Sequence, residues 1–473
     1  MQRALLIFLV ALSYLLFAGG PRWTLGPLLL VAIAGVVVAP GRTLRFPPAW
    51  RRLDGALAVI VLGILIQLLP LPSAILGMVS PHTMAVRREM RFATPGTGAA
   101  WGSITLNPEA TASALGTMVL GILSFWIARA LFAAGGSSRK VCRALAVFGA
   151  VAAVAAMVQK VVAPTLVLGI LQPDARSTNP LGAFTNRNHF AAWLLMIATL
   201  TCGYLIAHLR IHLAYQQRGA TFLRQFLTSG ALPTMMAAAV TLGVLFITLS
   251  RSAVAGLGAA AVAGCVMGRP RMQIERTSLP TIFGIIGAGI LLFVMFIDVD
   301  GWAARFEQSI NPAVTGFSRI GIWTETMPIV ADFPLAGTGA GTYSDAMTHY
   351  QQTRYWVGSM QRWAHFNNAH SHYVQVFSEG GLLLAAPAFC AIAFLWTLGR
   401  RALRGDKGEM FWTRVGAGAG LIGLAVQSIW EVALTMPANA VLAGVLAGLL
   451  IYKRDLSADA STGNLPSART RAA

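Results

Sequence analysis

Apolar residues in this 473-residue chain run in long blocks separated by short polar breaks, at roughly 4–18, 25–39, 55–72, 112–133, 144–163, 189–207, 231–249, 252–268, 279–297, 375–398, 415–435 and 437–452. These blocks have the length scale of the about 20 residues that an α-helix needs to cross roughly 30 Å of hydrocarbon. Strands of a membrane barrel are about half as long and alternate in polarity. The pattern therefore predicts an all-α, polytopic integral membrane protein with about 12 transmembrane helices.

Composition agrees: 56% of the residues are hydrophobic and 11% charged, against about 25% charged in a soluble domain. The net charge of +19 would suit a nucleic-acid binder if it formed one patch, but the basic residues recur between apolar blocks. With the N-terminus inside, the segments assigned to the inner face hold 23 of the 36 Lys and Arg residues. This is the bias of the positive-inside rule, and it places both termini in the cytoplasm. The basic start and apolar run of MQRALLIFLVALSYLLFAGG could be a signal peptide; no clean small-residue cleavage site follows, which favours an uncleaved first helix.

Two outer segments are long. The first, about 73–111, is rich in Gly, Pro and Thr and reads as an irregular cap. The second, about 298–374, joins helices 9 and 10 and has helical spacing in GFSRIGIWTETMPIV, then turn signals in DFPLAGTGAGTYSDAM. Its length and aromatic content predict a folded external subdomain. The organisation expected is a first group of five helices over 1–163, a core over 164–452, and a disordered tail over 453–473.

Ionisable groups inside a membrane are expensive, so their depth is informative. The midpoints of the apolar blocks carry none. Polar residues collect instead at outer ends: Arg187-Asn188-His189, Ser250-Arg251-Ser252, His370 and His372, and Glu431. A coupled transporter places its binding groups near the midplane, whereas an enzyme acting on a lipid-linked substrate needs them at one interface. A transporter or flippase for an anionic solute is the competing class and would need polar groups continuing through the bilayer.

Arg187, Arg251 and Arg319 sit on the outer side, against the charge rule and with few acids nearby in sequence, and read as unpaired arginines that meet a visiting anion. A guanidinium offers bidentate hydrogen bonds to phosphate oxygens. His370 is the best candidate proton acceptor, since imidazole titrates near neutral pH and can take a proton from an attacking sugar hydroxyl. Asn188, His372, Tyr373 and Glu379 are possible supporting residues, Glu379 either orienting a histidine or capping the outer turn. Gly337-Thr338-Gly339-Ala340-Gly341 lacks the strand and GK[ST] of a phosphate loop and reads as a tight turn. Asp298 and Asp300 read as a solvated helix end. Cys142, Cys202, Cys265 and Cys390 form no metal or disulfide pattern. Neither metal nor other cofactor is expected.

The run SRIGIWTETMPIVADFPLAGTGAGTYSDAM followed by AHSHYVQVFSEGGLLL resembles the signature of the O-antigen ligase and Wzy polymerase superfamily. In it an Arg and a Trp precede P-x-x-G-x-G-x-G, and His-x-x-Tyr leads into the next helix. GAFTNRNHFAAWLLM and TLSRSAVAGL are also similar to motifs of that family, so the likeness extends over about 180–390. It implies 10–14 helices, a large periplasmic loop, and metal-independent transfer of a glycan from undecaprenyl diphosphate in the bacterial inner membrane. The acceptor is lipid A core, a second lipid-linked glycan or a protein. The resemblance further implies that Arg187, Arg251 and Arg319 hold the diphosphate and that His370 activates the acceptor hydroxyl. Ser371-His372 stands where many relatives have Asn and Asp.

Overall fold

The computed structural model describes residues 1–89, 101–134, 138–173, 179–213, 230–272, 319–353, 356–357, 362–406, 408 and 410–452. In chain order the helices are α1 (Gln2–Leu15), α2 (Leu25–Val37), the single-turn α3 (Pro40–Thr43), α4 (Arg51–Leu68), α5 (Ser73–Val79), α6 (Pro81–Glu89), α7 (Pro108–Ala133) and α8 (Ser138–Val162). They continue with α9 (Arg187–Leu213), α10 (Ala231–Ile247), α11 (Arg251–Met272), α12 (Arg319–Asp332), α13 (Tyr343–Tyr350), α14 (His372–Gly405), α15 (Phe411–Gln427) and α16 (Pro437–Ile451). Eleven of the twelve apolar blocks fall on these helices. The block at 279–297, the acids Asp298 and Asp300, and the tail 453–473 lie outside the described residues. Among the described residues five helices, α7, α8, α9, α11 and α14, are long and apolar enough to cross a membrane, and α1, α2, α10 and α16 are shorter apolar helices.

Helix α9 is the centre of the bundle. Phe190 through Ala198 have no measurable exposure, the behaviour of a helix that is apolar on every side. By contrast α14 leaves Leu382, Phe389, Ile392 and Trp396 exposed, one stripe at helical spacing that suits lipid. Helices touch where side chains vanish. A Cβ on Gly416 of α15 would lie 2.4 Å from the Thr199 carbonyl of α9, and one on Gly444 of α16 would lie 2.4 Å from the Gly121 carbonyl of α7. Small residues at such crossings gain dispersion contacts that lipid tails cannot supply.

Charge inside the bundle is paired. At the end where α7 finishes and α15 begins, Arg129 meets Asp54 at 2.9 Å with both side chains buried, and the Trp126 indole donates to the same carboxylate at 2.9 Å. Nearby, Arg414 meets Asp406 at 2.9 Å and donates to the Leu450 and Tyr452 carbonyls that end α16. The second charge satisfies carbonyls that the helix cannot satisfy itself.

At the opposite end the two long segments that the sequence assigns to the outer face, separate in the chain, share one core. Val86 and Leu106 of the first pack with Ile322, Phe333, Tyr343 and Met347 of the second. Two short antiparallel strand pairs accompany them: β1 (Leu71–Pro72) with β2 (Trp101–Gly102), and β3 (Trp356–Val357) with β4 (Arg362–Trp363).

Candidate functional site at one end of the bundle

His370 stands just before α14 in a left-handed backbone conformation, φ +47°. For a non-glycine residue this costs on the order of 1–2 kcal/mol and persists only if the surroundings hold it. They do so from three directions. The His370 N–H donates to Asn368 Oδ1 at 3.1 Å. The Ala369 N–H donates to Gln375 Oε1 at 3.2 Å, and the Ala369 carbonyl accepts from Trp323 Nε1 of α12 at 2.9 Å. Ser371 then caps α14, its hydroxyl accepting from the Val374 N–H.

The turn after α15 carries Glu431, whose side chain is 1% exposed. Its Oε1 accepts from Asn188 Nδ2 at 2.6 Å and from an Arg319 guanidinium nitrogen at 3.0 Å. The second oxygen, Oε2, lies 3.9 Å from His189 Nε2. Around this carboxylate the backbone is tied by side chains: Gln427 Nε2 donates to the Asn188 carbonyl at 3.1 Å, and Asn439 Nδ2 to the His189 carbonyl at 3.1 Å. The His372 N–H donates to the Ser428 carbonyl at 2.9 Å, joining α14 to the same turn.

Buried polar atoms lacking a protein partner concentrate here. Among the described residues they include both ring nitrogens of His189, Nδ1 of His370 and His372, Gln427 Oε1, Ser428 Oγ, Glu431 Oε2 and Asn439 Oδ1. Each costs free energy unless water or a polar ligand meets it, so the arrangement is a buried polar cluster that a polar ligand or water can satisfy. Burial, and then the Arg319 charge, push the His370 ring down to about 4. Its neutral form therefore holds across neutral pH, which is the form that accepts a proton. Burial pushes Glu431 up to about 7, with Arg319 and the Asn188 hydrogen bond opposing it.

The structure brings Arg319, Asn188 and His370 to one place and corrects the expectation that the outer arginines are unpaired. Arg319 has Glu431 as its counter-ion, and neither Arg187 nor Arg251 is without a partner. Arg187 and Arg251 begin α9 and α11 at the same end of the bundle, and the Arg187 N–H donates to the Asn179 carbonyl at 3.0 Å. Tyr373 turns away toward α15, its hydroxyl donating to the Ala425 carbonyl at 2.9 Å. The sequence places Glu431 and His189 at helix ends without giving either a role. The signal available was a lone acid inside the apolar block 415–435.

Glu379 belongs to the glycine-rich turn. It accepts from the Gly341 N–H at 2.9 Å and the Tyr343 N–H at 3.1 Å, capping α13, and from Gln375 Nε2 at 3.0 Å. Through Gln375 it reaches the Ala369 backbone, so it supports His370 at one remove. Gly337, Gly339 and Gly341 all have positive φ. A Cβ on Gly337 would fall 2.2 Å from the Glu379 carbonyl carbon. The turn's amides are consumed by protein rather than offered to phosphate: Thr338 N–H goes to the Ser378 carbonyl and Gly339 N–H to the Glu379 carbonyl at 2.9 Å. Opposite them α14 breaks at Gly381 (φ 52°, ψ −153°). There the Leu382 and Leu383 N–H groups bond to the Pro334 and Leu335 carbonyls instead of to their own helix.

Fold and site together define a polytopic helical membrane protein with a buried polar cluster at one end of its bundle. Residues 236–389 match the family described as O-antigen ligase, which supports the resemblance of this part of the chain to the O-antigen ligase and Wzy polymerase superfamily. The match covers about a third of the chain. It includes Arg251, Arg319, His370 and Glu379, while Asn188 and Glu431 lie outside it. No curated protein matches the chain. The domain supports a membrane enzyme of glycosyltransferase type that processes lipid-linked glycans in polysaccharide biosynthesis, in the bacterial inner membrane.

Proposed function

We propose that the protein transfers a glycan from undecaprenyl diphosphate to an acceptor hydroxyl at the periplasmic face, without a metal ion. The observation that carries this reading is the juxtaposition of a cation and a neutral base in one buried polar cluster: Arg319 on Glu431, with His370 within its electrostatic reach. The core performing the reaction would be 164–452, with 1–163 as supporting helices and 453–473 as a cytoplasmic tail.

In a single displacement the acceptor oxygen bonds to the anomeric carbon as the bond from that carbon to the diphosphate oxygen breaks, with inversion. The acceptor proton passes to His370. The diphosphate leaves as an anion, and Arg319, assisted by Arg187 and Arg251 at the same end, stabilises its charge. Fixed charge aimed at a developing anion is commonly the largest contribution in such sites, and a general base adds about 10²–10⁴-fold.

The test is the surface glycan of a deletion strain complemented with wild type, His370→Ala or Arg319→Ala at matched protein levels. Loss of transferred glycan with either variant is expected. Normal polymer with both would overturn the assignment. Full-length polymer accumulating on the lipid carrier in the deletion strain indicates a ligase; single repeat units indicate a polymerase.

A further inference from the structure

Glu431 is an odd neighbour for a site that binds an anion. A buried carboxylate repels phosphate, yet this one is held on the very guanidinium proposed to receive it, at 3.0 Å from Arg319 and 2.6 Å from Asn188. Arg319 keeps 32% of its side chain exposed while Glu431 is 1% exposed. The cation can therefore swing toward a ligand from the open side, and the acid cannot follow.

We propose that Glu431 is a resident counter-anion which occupies Arg319 until the donor's diphosphate displaces it, and that the displaced carboxylate takes up one proton. Donor binding would thus draw a proton into the buried polar cluster. The inference rests on the diphosphate reading above. The groups that face Glu431 fit it. Asn188 and His189 approach from α9 and Arg319 from α12, while His370, ahead of α14, interacts with His189 and Arg319. Once Arg319 has gone to the diphosphate, no other ion pair to Glu431 is found among the described residues except the 3.9 Å approach of His189. A buried carboxylate without its cation favours the protonated form.

The sign follows from linkage. Below the free-site value of about 7 Glu431 is already protonated and does not compete. Above it the carboxylate holds Arg319, binding must add a proton, and affinity falls about tenfold per pH unit. Glu431→Gln removes both the competitor and the titration.

The experiment is calorimetric binding of farnesyl diphosphate to the full-length protein in neutral detergent, in buffers of different ionisation enthalpy. Wild type should take up close to one proton at pH 8 and few at pH 6, with farnesol as the phosphate-free control. Glu431→Gln should bind about tenfold more tightly than wild type at pH 8 and equally at pH 6. Titration of the ligand itself is common to both proteins and cancels in the ratio. Binding without proton uptake by wild type, or a ratio that does not change with pH, overturns the inference while leaving the diphosphate site intact. Equal uptake with phosphatidylglycerol would assign the exchange to a lipid headgroup and overturn it for the donor. Farnesyl diphosphate binding no better than farnesol would remove the diphosphate reading itself. The proton count is taken on wild type, so it decides even if the variant does not fold.

Discussion

Gly337→Ala tests whether the glycine turn is the strut that holds the outer subdomain against α14. The wild-type φ is +65°, and the added Cβ would lie 2.2–2.3 Å from the Glu379 carbonyl and the Gly380 amide nitrogen, all backbone atoms. The left-handed conformation alone costs on the order of 1–2 kcal/mol for alanine. Backbone cannot yield as a side-chain tip can, so the turn must lift. Lifting breaks Thr338 N–H to Ser378 O and Gly339 N–H to Glu379 O, each worth about 0.5–1.5 kcal/mol. The expected local destabilisation is therefore roughly 2–5 kcal/mol, or about 30- to 5,000-fold in the opening equilibrium. Hydrogen–deuterium exchange of the protein in detergent measures this directly at the amides of residues 338–343. Gly55→Ala is the control, because nothing lies within 4 Å of its added Cβ. It should leave exchange at 338–343 unchanged. If Gly337→Ala exchanges like Gly55→Ala and keeps full transfer activity, the turn is not a strut and the contact geometry carries no energetic weight.

Asp54→Ala should lower thermal stability in detergent by about 3–5 kcal/mol equivalent, because it leaves Arg129, 2% exposed, without its carboxylate; the double substitution Asp54→Leu with Arg129→Met should recover most of the loss. Arg319→Lys should fail to restore transfer in the complementation assay, since an ammonium cannot reproduce bidentate recognition, and full restoration would show that charge alone suffices. A cysteine at Asp345 should react with an impermeant thiol reagent in intact spheroplasts, and protection there would reverse the orientation drawn from the positive-inside bias. Glu379→Gln should lower protection of α13 more than it lowers transfer, because Glu379 serves the Gly341 and Tyr343 amides; the reverse order would place it at the reacting centre.

The helices were legible because burial in a bilayer acts on every residue of a span. A run of about 20 apolar residues has few other stable fates in lipid, since each backbone polar group must be satisfied within the segment. Eleven apolar blocks could therefore be placed on described helices from composition alone. The motif residues were legible for a related reason. Arg, His and Gly-rich runs are rare in such a background, and Arg319 and His370 stand out in it. What each one touches was not legible. Glu431 lies 112 residues from Arg319 and 243 from Asn188, and no local pattern encodes that meeting.

Tyr373 and Glu379 illustrate the same division. They fall six residues apart at the mouth of one helix, so sequence grouped them with His370 as a possible constellation. Helical geometry and the break at Gly381 separate them, sending Tyr373 to α15 and Glu379 to the glycine turn. By itself, then, the sequence determined that the chain is a helical membrane protein with its polar chemistry at helix ends, because solvent cost acts residue by residue. Only the tertiary structure decided that the arginine of that chemistry already carries a buried counter-ion. Pairing of charges depends on which helix ends the bundle brings within 3 Å, and that is a property of packing alone.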